Sequence, residues 1–198
     1  MAEIERGEAR RSILDATRGL LEQPGSADVA MAAIAERAGY SRQAIYRHFG
    51  SRAGLLKAVL RDVDERAGAE GAVAEILDSP TGVDALEALV AWWAGYVAEF
   101  VGISRSVLEG RASDPALAAA WEDRMDALLG VCRSVVDRCA EDGALRRGLR
   151  PAVASEMLWG MLSVPLWDQL ITDRGWSRNQ YRDRLTLMAR STLIEPSA

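Results

Sequence analysis

Between Ser41 and Arg52 the chain sets out side chains suited to one kind of chemistry, the recognition of a polyanion with readable edges. Arg42, Gln43, Tyr46, Arg47 and His48 fall within seven consecutive positions. On the exposed face of a helix, an Arg guanidinium matches O6 and N7 of guanine, and a Gln amide matches N6 and N7 of adenine. The Tyr46 hydroxyl, the His48 ring and a helix start at Ser51-Arg52 suit phosphate oxygens. Read alone, Tyr46 and His48 also suit packing between helices, and a lone Arg is most simply a solvated side chain.

The charge pattern points the same way. The chain has a net charge of -5, which argues at first against a nucleic-acid partner. Yet Arg37, Arg42, Arg47, Arg52, Lys57 and Arg61 lie in a stretch with no Asp or Glu, a local +6 against -11 over the remainder. Positive charge gathered on one segment is the footprint of phosphate binding. A solvated basic face explains the charge about as well, so the spacing must decide.

Ile34-Ala35-Glu36-Arg37-Ala38-Gly39-Tyr40-Ser41 has the pattern of a helix-turn-helix. Ala35 is small where two helices cross closely. Gly39 stands where the turn needs positive φ. Ile34, Ala38, Tyr40 and Ile45 supply the apolar contacts that set a wide interhelical angle. In such a unit the second helix enters the major groove. The DNA-contacting set expected from this placement is Ser41, Arg42, Gln43, Ala44, Tyr46, Arg47, His48 and Arg52, with Phe49 in the core.

These residues resemble a known family. Residues 8–60 look like the DNA-binding domain of TetR-family (tetracycline-repressor family) transcriptional regulators. The likeness lies in Ile34-Ala35, Ala38-Gly39-Tyr40-Ser41-Arg42, Ala44-Ile45-Tyr46-Arg47-His48-Phe49, Ser51-Arg52 and Leu55-Leu56, with Arg11, Ile13-Leu14 and Ala16 in the first helix. The resemblance implies an all-α chain: a three-helix DNA-binding domain over residues 1–60, then a helical ligand-binding and dimerisation domain over 61–198. It also implies a homodimer formed by the last two helices. Two departures stand out. Val29 and Ala30 replace the hydroxyls expected before the second helix, and Ala32 or Ala33 replaces a basic or polar residue inside it, which weakens phosphate anchoring there. Arg6, Arg10 and Arg11 offer compensating charge.

The elements that must position these residues read as helices throughout. Spans are expected over residues 8–22, 30–38 with Asp28 as N-cap, 41–49 and from 51 past 59. Residues 88–98, without a charge, read as a central helix apolar on all sides. Residues 115–141 begin at a proline suited to a helix start. Residues 152–171 should kink at Pro165. Residues 177–194 put Tyr181, Leu185, Met188 and Thr192 on one stripe.

Trp92, Trp93, Tyr96, Phe100, Trp121, Met125, Met157 and Met161 are candidate ligand-binding residues. Core packing explains any one of them. Together, beside the small Ala88, Ala91, Ala94, Gly95 and Ala98, they suggest a cavity for an apolar or aromatic molecule.

Composition closes other routes. Hydrophobic residues at 49% argue against disorder. No apolar run of about 20 residues is expected, and the charged start lacks a signal-peptide core. Cys132 and Cys139 sit seven residues apart, about 10.5 Å along a helix, too far to bridge. They read as reduced thiols of a cytoplasmic chain. One His and two distant Cys argue against a metal site. No His, paired Cys or Gly-rich phosphate loop follows residue 50, which argues against an enzyme, and no cofactor is expected. One Lys against 23 Arg, with abundant Ala and Gly, fits a GC-rich bacterial genome. The resulting expectation is a regulator, most simply a repressor released from a pseudo-palindromic operator by a small molecule. The alternatives are an activator or ligand-independent regulator, and a helical protein-interaction adaptor.

Overall fold

A computed structural model describes residues 2–23 and 29–196, and these are all-α apart from one isolated bridge between Leu145 and Ile194. The helices are α1 (Ala2–Leu21), α2 (Met31–Ala38), α3 (Arg42–Phe49), α4 (Arg52–Arg66), α5 (Ala69–Leu77), α6 (Gly82–Gly110), α7 (Pro115–Glu141), α8 (Pro151–Met161), α9 (Val164–Asp168) and α10 (Arg178–Leu193), with a π-type turn over Gln169–Asp173. The chain divides into two compact units, Met1–Arg66 with Gly102–Met125, and Ala67–Val101 with Asp126–Ala198.

The first unit is built on α1. Ile13, Leu14, Thr17 and Leu21 are buried, and the Thr17 hydroxyl donates to the Ile13 carbonyl at 2.8 Å. Ile34, Ile45, Leu55, Leu56, Val59 and Leu60 join them from α2, α3 and α4. The ends of α6 and α7 complete the unit with Ile103, Val107, Leu117, Ala120 and Trp121. The buried Ser106 hydroxyl donates to the Leu21 carbonyl at 2.6 Å and satisfies the last turn of α1. Helix α1 starts earlier than residue 8 because Ala, Glu and Arg are strong helix formers and a lone glycine, Gly7, is tolerated. The expected cap at Asp28 lies outside the described residues. Helix α2 begins instead with Ala30 at its N-cap and no capping side chain.

The second unit packs Leu89, Val90, Trp93, Val97 and Phe100 of α6 with Cys132, Val135, Val136 and Cys139 of α7. Ala154 and Leu158 of α8 and Tyr181, Leu185, Ala189 and Leu193 of α10 belong to the same core. Four sequence expectations are corrected here. Helix α6 is not apolar-packed on all sides, since Ala91, Gly95 and Glu99 are exposed along one stripe. It is also longer and more apolar than expected: an 18-residue window has mean hydropathy 1.3, and half of that window is buried within the fold. The helix over 152–171 is divided, not kinked. A helical Pro165 in its interior would clash with the Met161 carbonyl four residues back, and α8 ends at Met161. Ser163 then caps α9, accepting from the Leu166 N–H at 3.5 Å, with Pro165 in the first turn. On α10 the buried stripe runs at strict four-residue spacing through Ala189, which leaves Met188 outside it. Helix α5, which the sequence reading did not assign, contains Gly71, a weak helix former that hides the pattern.

Candidate nucleic-acid interface

Helix α3 is fixed from both ends. The chain leaves α2 through Gly39 at φ 74°, where a Cβ is disfavoured, and the Tyr40 N–H donates to the Ala35 carbonyl at 3.1 Å. Ser41 then caps α3, its hydroxyl accepting from the Ala44 N–H at 3.1 Å. At the other end Ser51 accepts from the Gly54 N–H at 3.0 Å. A Cβ on Gly54 would lie 2.2 Å from the Phe49 carbonyl oxygen, so α3 and α4 meet at a distance only glycine allows. Ile45 is the buried anchor of α3.

This framework turns one side of α3 outward. Arg42, Gln43, Tyr46 and Arg47 are exposed, Tyr46 at 44%. Ala44 and His48 are half-buried beside them. Arg42 and Arg47 form no ion pair among the described residues, so their guanidinium groups are open to an incoming acceptor. Phe49 is half-buried, not core: the Arg10 guanidinium lies 5.6 Å from its ring centroid, and the His48 ring lies 6.1 Å away.

Arg52 stands apart. Its guanidinium pairs with Asp114 and also donates to the Val29 carbonyl at 3.1 Å. The next cations of α4 behave alike. Lys57 and Arg61 both bond Asp123 at 2.9 Å. Arg124, itself buried, donates to the Leu60 carbonyl at 3.2 Å and pairs with Asp64 at 2.7 Å. Burial alone raises the Asp114 carboxyl, but the Arg52 hydrogen bond and the Ala116 and Leu117 N–H groups hold it below its ordinary value. The Lys57 hydrogen bond, against partial burial and with Arg61 assisting, likewise lowers Asp123. Sequence reasoning missed Asp114 and Asp123, because their partners lie more than 60 positions away.

The candidate ligand residues fall in both units. In the second, Trp92 stacks on Tyr96 at 4.3 Å, Tyr96 lies 4.8 Å from Phe100, and Trp93 meets Phe100 edge-on at 6.1 Å. Met157 and Met161 of α8 are half-buried in that unit. Trp121 and Met125 belong to the first unit, Trp121 buried and Met125 half-buried. The Trp93 indole N–H and the Tyr181 hydroxyl are both buried, and neither closes a hydrogen bond of ordinary geometry among the described residues. Burial pushes the Tyr181 phenol up to about 12, despite an opposing influence from the Trp93 indole. Cys132 and Cys139 are free and buried, and desolvation pushes their thiols up to about 12 and about 11. Such thiols are poor nucleophiles and poor metal ligands. Among the described residues no group of three or more His, Cys, Asp or Glu is placed to hold a metal ion.

Residues 13–59 match the family model for bacterial regulatory proteins of the tetR family. No curated protein matches the chain. Among solved structures it is similar to a protein from Rhodococcus sp. assigned as a TetR-family transcriptional regulator, with 22% identity, TM-score 0.74, and 96% of this chain and 100% of that one covered. It is similar to NalD of Pseudomonas aeruginosa, the secondary repressor of the MexAB-OprM multidrug efflux pump, with 20% identity, TM-score 0.72, and 98% and 100% covered. It is also similar to the transcriptional regulator FadR from Bacillus subtilis in complex with stearoyl-CoA, with 17% identity, TM-score 0.71, and 90% and 96% covered. At these identities the likeness shows a shared fold.

Proposed function

We propose, from the match of residues 13–59 to the family model for bacterial regulatory proteins of the tetR family, that the chain is a DNA-binding transcriptional repressor released from its operator by a small molecule. The observation that carries this reading is the rigidly held α3, with Arg42, Gln43, Tyr46 and Arg47 exposed together. Arg42, Gln43 and Arg47 read bases, while Tyr46 and His48 bond phosphates.

The protein acts as a homodimer in the cytoplasm. Trp159 on α8 and Leu187 and Met188 on α10 are large apolar side chains left exposed, on the elements expected to pair across a two-fold axis. Such a dimer sets two α3 helices about 34 Å apart, one turn of a pseudo-palindromic site. The effector is apolar or aromatic, received near Trp92, Trp93, Tyr96 and Phe100. The buried Trp93 N–H and Tyr181 hydroxyl, which influence each other, supply its polar contacts. FadR in complex with stearoyl-CoA, and the complex of SmeT with triclosan, give the reading precedent in chains of this fold. Effector and DNA then weaken each other's binding by the same factor.

The test is fluorescence anisotropy of the purified protein on DNA from upstream of its own gene. Arg42→Ala is expected to weaken binding and relax sequence preference, and Tyr46→Phe to weaken it uniformly. Wild-type affinity and salt dependence in both variants would show that α3 is not the reading helix.

A further inference from the structure

A second basic surface lies beside the recognition helix. We infer that the groove between α1 and α3 is a further DNA-backbone site, in which Arg6 and Arg10 hold phosphates flanking the segment that α3 reads. The inference rests on α3 being the DNA-facing helix.

The groove, of about 620 Å³, is lined on α1 by Glu5, Arg6, Ala9 and Arg10, and opposite by Tyr40, Ala44, Arg47 and His48. Three guanidinium groups, an imidazole and a phenol hydroxyl therefore face one opening that holds a single carboxylate, Glu5. Arg6 and Arg10 are one turn apart on a continuous helix, so both project from the same side of α1. Arg10 is further positioned over the Phe49 ring at the end of α3. A planar guanidinium fork suits a phosphate better than an ammonium does.

Two observations choose the occupant. Ala44, Arg47 and His48 form one wall of the groove and also belong to the recognition helix, so a duplex seated on α3 runs past its mouth. Arg11 serves as an internal contrast. It faces a different hollow, lined by Glu8, Ser12, Asp15, Ala16 and Arg37, where Arg11 and Arg37 stand beside two carboxylates, Asp15 itself pairing with Arg66 at 2.6 Å. Sequence alone treats Arg6, Arg10 and Arg11 as equivalent compensation for the hydroxyls missing before α2. The structure selects the first two.

Because backbone contacts are independent of sequence, the test needs no known operator. The full-length protein is titrated into a labelled duplex of arbitrary sequence at salt concentrations from about 50 to about 200 mM. Each lost phosphate contact flattens the log–log salt slope by about 0.9. Arg6→Ala with Arg10→Ala is expected to flatten it by about 1–2 per protomer and to weaken low-salt binding roughly tenfold. Arg10→Lys keeps most of the slope, Arg11→Ala leaves it unchanged, and Glu5→Gln tightens binding. Arg6→Ala alone spares the Phe49 stack and guards against a folding artefact. A wild-type slope in the Arg6→Ala and Arg10→Ala variants, or an equal loss in Arg11→Ala, overturns the inference. Arg42→Ala with Arg47→Ala, titrated beside the α1 variants on DNA from upstream of the gene, separates the two readings. If that pair loses binding while the α1 variants do not, only the groove fails. If it changes nothing either, the assignment of α3 fails as well.

Discussion

Helices α3 and α4 follow one another across Gly50 and Ser51, and each bears cations from the same acid-free stretch. On α3, Arg42 and Arg47 are exposed and form no ion pair among the described residues. On α4, Arg52 pairs with Asp114, and Lys57 and Arg61 share Asp123. Five of the six cations in that stretch therefore form two populations, with Arg37 set apart on α2. One is available to an external polyanion, and the other holds α4 to the start of α7. A count of charges along a chain cannot separate them, because the neutralising acids arrive from a distant segment.

The largest expected effect breaks the comparison directly. Neutralising α3 with Arg42→Ala and Arg47→Ala removes contacts worth about 1–3 kcal/mol each, a loss of roughly tenfold to a hundredfold per residue in operator affinity. Neutralising α4 with Lys57→Ala and Arg61→Ala is expected to change affinity less than about twofold, because those cations are already engaged within the protein. Anisotropy titrations of the two double variants under one salt condition make the check. Equal losses would mean that the α4 pairs open on DNA and that the division does not exist in the complex.

The next effect concerns the joint between the two helices. Gly54→Ala forces a Cβ to within 2.2 Å of the Phe49 carbonyl oxygen. Backbone cannot yield as a flexible side chain does, so the expected cost is about 1–3 kcal/mol. It should appear as a lower midpoint in thermal or urea unfolding. DNA affinity should fall as well, since the end of α3 moves. A neutral Gly54→Ala would mean that α3 and α4 tolerate other relative positions.

What the sequence made legible was the local code. Gly39 in its turn, Ser41 and Ser51 as caps, Ile45 as anchor and the exposed residues of α3 all depend on neighbours within a few positions. What it hid depends on distance in the chain. The acid partners of Arg52, Lys57 and Arg61 could not be paired without the fold. The division of the compact units within α6 and α7 was hidden for the same reason: both helices run unbroken through it, with no composition change to mark it. On α10 the helical period was right, but a stripe drawn through Met188 follows three-residue steps as readily as the four-residue steps that lead to Ala189. Phe49 was assigned to the core by residue type, whereas Arg10 covers its ring.

The smallest effect tests whether the α4 pairs contribute to stability. Asp114 and Asp123 both titrate below the ordinary value of 3.8, and for Asp123 the Lys57 hydrogen bond is the main cause. A carboxyl with a lowered folded-state pKa binds its proton more readily when unfolded. Its contribution is therefore complete at neutral pH and is lost as pH falls from the unfolded value through the folded one, beginning near 3.8. Arg61 is mostly exposed, so solvent screening limits the Asp123 cluster to about 0.5–1 kcal/mol. Urea unfolding of wild type and Asp123→Asn at falling pH is expected to show a small gap near pH 7 that closes below 3.8, and one that narrows with added salt. A gap that persists at the lowest pH would assign the loss to the geometry of the amide instead of the charge of Asp123. The α4 cations would then be held by packing along their stems, and the contrast with α3 would be one of burial alone.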